Sequence, residues 1–136
     1  MKKLALCLLL AFFSLVSCKK STDGCTLIPV KILRYDCDRV IMQLLCNNQI
    51  GDSSWTDVHT GSTYTNVVSY YNTCQIAELT SGQMDTLYAN VQTTIDILFN
   101  QDCMQCQAMS QDPPQTRVVL SQLQKEPCNN KVAQSN

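Results

Sequence analysis

Cys103-Met104-Gln105-Cys106, the tetrapeptide CMQC, is the pattern with the most immediate chemistry in this 136-residue chain. A CxxC dithiol exchanges disulfides when its first sulfur sits at a helix N-terminus, which stabilises the thiolate, in a βαβ setting. Here the pair follows an apolar, strand-like run and precedes a loop ended by Pro113-Pro114, with no good helix after it. A structural role for Cys103 and Cys106 is therefore expected, and thiol-disulfide exchange is the enzymatic alternative. Covalent haem attachment needs a histidine directly after the second cysteine, and Gln107 stands there.

A metal-binding domain is the other alternative, but a zinc site needs about four ligands and one CxxC supplies two. His59, the only histidine, lies in a glycine turn near Asp57. A set of His59, Cys103, Cys106 and one more cysteine has no supporting spacing, so neither metal nor cofactor is expected. Ser53-Ser54, His59 and Asp57 contain the residue types of a hydrolase, yet no nucleophile-elbow pattern surrounds either serine. Asp36 and Asp38 flank Cys37 as ordinary turn formers. The four glycines are spread singly, which leaves no phosphate-cradling loop. No catalytic residue is expected. The aromatics Trp55, Tyr64, Tyr70 and Tyr71 are the candidate binding face for a small molecule or an envelope protein, because such side chains join an apolar body to a polar tip. Strand alternation sends Tyr70 and Tyr71 to opposite faces, so at least one of them is expected at the surface or a rim.

The N-terminus carries a different kind of chemistry. In MKKLALCLLLAFFSLVSC, Lys2 and Lys3 precede an apolar stretch from Leu4 to Val16, and Ser17 stands just before Cys18. That is the order of a secretory leader: a basic region, an apolar region and a small residue at the cut. As a helix the stretch covers about 20 Å, short of the roughly 30 Å hydrocarbon core, which disfavours a permanent span. Leu15-Val16-Ser17-Cys18 resembles the lipobox of bacterial lipoproteins. The resemblance implies a diacylglycerol on the Cys18 sulfur, cleavage after Ser17 and acylation, as by palmitate, of the new amino group. Several acyl chains on one residue anchor a protein stably, since each buried methylene contributes about 0.8 kcal/mol. Lys19 to Gly24 then reads as a short polar tether, reaching roughly 20 Å when extended. Lys19 and Lys20 can each gain about 1 kcal/mol from anionic head groups. Lys19, not Asp, after the lipidated cysteine is compatible with the outer membrane by the sorting rule of enterobacterial lipoproteins.

These features divide the chain into a cleaved signal peptide at 1–17, a lipidated N-terminus and tether at 18–26, one β-domain at 27–128 and a polar tail at 129–136. Ten Lys plus Arg stand against eleven Asp plus Glu, and loss of Lys2 and Lys3 leaves the mature chain at −3. No basic footprint for nucleic acid exists. Of nine cysteines, Cys7 leaves with the leader and Cys18 takes the lipid. Cys25, Cys37, Cys74, Cys103, Cys106 and Cys128 are the disulfide candidates for an exported domain. The seventh, Cys46, continues the apolar run Ile41 to Leu45 and is the candidate for an unpaired, buried thiol. One bridge across about fifteen residues is worth about 3 kcal/mol on the chain-entropy account.

The elements that must position these residues read mainly as short strands. Leu27 to Tyr35 alternates as a strand, Asp36-Cys37-Asp38 turns, and Arg39 to Leu45 returns as the second arm of a hairpin. Trp55 to Val58 and Thr63 to Tyr71 are β-rich runs around Gly61. Between Thr80 and Asn100, Met84, Leu87, Tyr88, Val91 and Ile95 recur at helical spacing, but β-branched residues and Gly82 favour strands over about 84–91 and 93–99. Thr116 to Leu123 supplies a last strand. The expectation is an all-β domain of 5–7 short strands, a disulfide-stapled barrel of the OB-like Greek-key type or a sandwich. The alternative is an α+β fold with a helix near 81–98.

Overall fold

The computed structural model describes residues 27–96 and 111–127. The leader, Cys18, the tether, Cys25, Cys103, Cys106, Cys128 and the 129–136 tail lie outside the described residues. The described chain forms a closed barrel and a small external hairpin. In chain order the elements are β1 (Ile28–Tyr35), β2 (Val40–Leu44), β3 (Trp55–Thr56), β4 (Thr63–Tyr64), β5 (Val67–Tyr70), α1 (Thr73–Thr80), β6 (Thr86–Thr94) and β7 (Arg117–Gln124). The barrel order is β1-β2-β5-β7-β6, with β6 closing back onto β1. Its pairs are antiparallel except for β5 with β7, which meet in parallel at Ser69 and Arg117. This is an all-β barrel of the OB-like Greek-key type, with the helix between its third and fourth strands.

The interior follows from period-two alternation. Val30 and Ile32 from β1, Val40, Met42 and Leu44 from β2, Val68 and Tyr70 from β5, Leu87 and Ala89 from β6, and Val118 and Leu120 from β7 form one buried cluster. Register matches the pattern, with Val30 opposite Leu44, Ile32 opposite Met42 and Met42 opposite Val68. A bulge between Ile32 and Arg34 resets the alternation, so that Arg34 lies opposite Ile41 and Tyr35 opposite Val40. A second irregularity lies on the β6–β7 ladder, where Gln122 adopts a positive φ of 52°. It lets Leu123 rejoin the interior cluster beyond the exposed Ser121.

Residues 86–94 form one continuous strand, not a helix and not two strands. Leu87 and Ala89 point inward at spacing two and pair with Val30 and Ile28 across the ladder, which outweighs the helical recurrence. Met84 is exposed, so the first residue of the helical pattern contributes nothing to a core. The helix comes earlier, at Thr73–Thr80, after Asn72, whose side chain accepts from the Gln75 N–H at 3.4 Å. Ser81 ends it in the left-handed conformation at φ 54°. Its Ile76 is fully buried in the interior cluster. The β-rich run 63–71 is likewise not one strand. Asn66, at φ 58°, separates the two-residue β4 from β5.

Candidate functional site

The sequence-predicted aromatics divide between the two sides of the barrel wall. Tyr70 points inward and is 5% exposed, and its hydroxyl donates to Gln75 Oε1 on α1. Burial raises its pKa above the ordinary tyrosine value. Tyr71, directly after β5, is only 8% exposed, which corrects the expectation of a surface tyrosine. The reason is Arg39, whose guanidinium carbon lies 4.9 Å from the Tyr71 ring centroid and whose Nη1 donates to the Tyr71 hydroxyl at 3.0 Å. Asp38 accepts from Arg39 Nε at 2.9 Å and also pairs with its Nη2.

Trp55 and Tyr64 do come together. They face each other across β3 and β4, with ring centroids 6.2 Å apart and planes 28° apart. They are not an open binding face, because they pack down on Ile41 and Val67 with Leu33 beside them. The Trp55 indole Nε1–H donates to the Asp112 carbonyl at 2.7 Å. Arg34 lies beneath the same indole, 5.4 Å from the ring centroid. Asp36 accepts from Arg34 Nε at 2.7 Å and from Nη2 at 3.0 Å, and Asp57 pairs with Nη1. Burial works to lower the Arg34 pKa, but Asp36 and Asp57 overcome it and hold the guanidinium above its usual value. For Asp57, burial works upward, and the His59 N–H, the Thr60 hydroxyl and Arg34 together hold the carboxyl below its usual value. His59 is exposed and contributes its backbone N–H, at 3.1 Å from Asp57 Oδ1.

In OB-type barrels the outer face of the second and third barrel strands is the common seat for oligonucleotides and oligosaccharides. Here those strands are β2 and β5, and the chain itself covers their outward Ile41, Val67 and Ser69. Ile41 and Val67 lie under the hairpin, and Ser69 donates its hydroxyl to the Pro114 carbonyl at 3.0 Å. The electrostatics agree with that closure, since Arg34 and Arg39 are each matched by carboxylates of nearby turns.

Two polar residues that sequence reasoning did not single out hold the loops above this face. Asn66 Oδ1 accepts from the Ile50 N–H at 3.0 Å and the Gly51 N–H at 2.8 Å. Its Nδ2 donates toward the carbonyls of Leu44, Cys46 and Asn48 at 3.1, 3.3 and 3.0 Å. Asp52 accepts from the Gln115 N–H at 2.7 Å, and from the Thr116 N–H and hydroxyl at 2.9 and 2.6 Å. Gly51 sits between them, where a Cβ would come within 2.5 Å of the Val67 carbonyl oxygen. Asn-Asn-Gln-Ile-Gly-Asp at 47–52 signals a turn in sequence, but nothing in it marks Asn66 as its partner.

Cys46 is a free thiol, half-buried against the interior cluster. Neither Cys37 nor Cys74 is a free thiol. Among the described residues, no group of three or more His, Cys, Asp or Glu is placed to hold a metal ion, and no helix is long and apolar enough to cross a membrane. Ser53 and Ser54 are exposed in the loop before β3, apart from the buried Asp57. The chain matches no protein-family model, no curated protein and no solved structure.

Proposed function

We propose that the chain is a lipid-anchored lipoprotein of the bacterial cell envelope, whose barrel acts as a non-enzymatic binding or structural module. The observation that carries this reading is Leu15-Val16-Ser17-Cys18 behind a basic and apolar leader. The tether from Lys19 to Gly24 keeps the domain within roughly 20 Å of the bilayer. Lys19 favours the outer membrane over the inner one. Disulfides at Cys37 and Cys74, neither of which is a free thiol, would suit an oxidising compartment. The use of charge on the barrel supports a binding or structural role. Arg34, Asp36, Asp52 and Asp57 fasten loops to strands and to one another, which builds a rigid module.

The test is metabolic labelling with palmitate in a bacterial host. The wild-type chain takes up label and sediments with the membranes, and Cys18→Ala loses both properties. A wild-type chain that is exported but unlabelled refutes the proposal.

A further inference from the structure

The apolar cluster on the outside of the barrel has a cover that is weakly built. Ile41 and Val67 are fully buried although they face away from the barrel interior, and Leu33 is partly buried beside them. Their cover is the β3–β4 hairpin, with two residues in each strand. An isolated two-stranded hairpin is marginal in water. The backbone hydrogen bonds of its turn run within the hairpin, from Asp57 to Ser62 and from Gly61 to Asp57. Its hold on the rest of the fold is concentrated in side chains: the Trp55 indole on the Asp112 carbonyl, the Trp55 ring over Arg34, and Asp57 on the Arg34 guanidinium.

Arg34 is gripped from two sides that differ in kind. Asp36, in the turn after β1, belongs to the barrel, whereas Asp57 belongs to the hairpin. We infer that the β3–β4 hairpin is an acid-released strap: protonation of Asp57 breaks its ion pair with Arg34, and the hairpin lifts from Leu33, Ile41 and Val67 while the barrel stays closed.

The same carboxylate also organises the hairpin's turn. Asp57 Oδ1 accepts from the His59 N–H and Oδ2 from the Thr60 hydroxyl, both at 3.1 Å. A proton on Asp57 therefore weakens the pin and the turn together. The charged and titratable groups around it are Arg34 and Asp36 on the barrel side, and His59 and Tyr64 on the hairpin. Arg34 is held on the barrel side by Asp36, at 2.7 Å from Nε and 3.0 Å from Nη2, independently of the hairpin.

The sign follows from linkage. The closed state holds the Asp57 carboxyl below its ordinary value, so closure is favoured above the ordinary carboxylate range. That contribution is lost as the pH falls through the depressed value.

Trp55 is the only tryptophan in the chain, so its emission reports on the strap while far-UV circular dichroism reports on the barrel. Both are followed on the purified full chain as the pH is lowered. The expected result is a reversible red shift of the emission with the barrel signal unchanged. Asp57→Asn is expected to show the shifted emission at pH 7. Thr60→Ala, which removes one hydrogen bond to the carboxylate, is expected to move the release midpoint to higher pH. Loss of both signals in one transition overturns the inference, as does native emission from folded Asp57→Asn. If that variant does not fold, the Thr60→Ala midpoint decides, and an unmoved midpoint overturns the inference.

Discussion

Replacing Asn66 by alanine tests whether one side chain holds the loop that leads from β2 to the external hairpin. The substitution strips the Ile50 and Gly51 N–H groups of their acceptor. A buried donor left without a partner costs about 1–3 kcal/mol. Alanine at the φ of 58° that Asn66 adopts adds about 1 kcal/mol of backbone strain. The expected loss is about 4 kcal/mol, a large share of the 5–15 kcal/mol that typically separates a folded domain from its unfolded chain. Asn66→Gly keeps the left-handed conformation without that strain and should recover about 1 kcal/mol. Asn66→Asp keeps an acceptor but turns a charge toward the three carbonyls that Nδ2 now serves, so it should not rescue. Urea denaturation of the three variants measures this, with the midpoint falling and the slope unchanged. A loss below about 1 kcal/mol for Asn66→Ala would refute the reasoning.

Two further outcomes follow from the same geometry. Asp52→Ala should lower stability by about 2–4 kcal/mol in thermal or urea unfolding, because two N–H groups and a hydroxyl of residues 115–116 lose a charged acceptor. Tyr70 has its pKa raised by burial, so its contribution to stability is intact below the ordinary tyrosine range and is lost as the pH rises through the raised value. Tyr70→Phe should therefore move the alkaline unfolding midpoint upward, while costing about 1 kcal/mol at neutral pH for the lost bond to Gln75.

The barrel was legible in the sequence where one face of a strand is apolar and the other polar. Val30 and Ile32 against the exposed Lys31, and the turn at 36–38, place β1 and β2 close to where they lie. Arg117–Gln124 reads equally well. Strand count alone favoured an OB-like barrel, and the observed order is of that type. The helix at Thr73–Thr80 escaped because it spans only two turns and buries one large apolar side chain, Ile76, too few for a period to register. The spacing of Leu87, Tyr88 and Val91 imitated a helix because it also contains the inward pair Leu87 and Val91 of a strand.

The outer face was harder to read, for a physical reason. Trp55 and Tyr64 stand out by residue type, but their burial depends on Arg34, which lies more than twenty residues earlier in the chain. The ion pair of Arg34 with Asp57 and the bonds of Asn66 and Asp52 to remote backbone arise only once the chain has folded. No local spacing encodes them. Cys103 and Cys106 lie outside the described residues.

The most direct test of the account is the mass of the N-terminal peptide of the mature protein, isolated from envelopes. The account predicts a chain beginning at Cys18, with Met1 to Ser17 removed, diacylglycerol in thioether linkage to the cysteine sulfur, and an acyl group on its amine when the host adds one. A peptide that retains Met1, or one that begins at or beyond Cys18 without lipid, would contradict it.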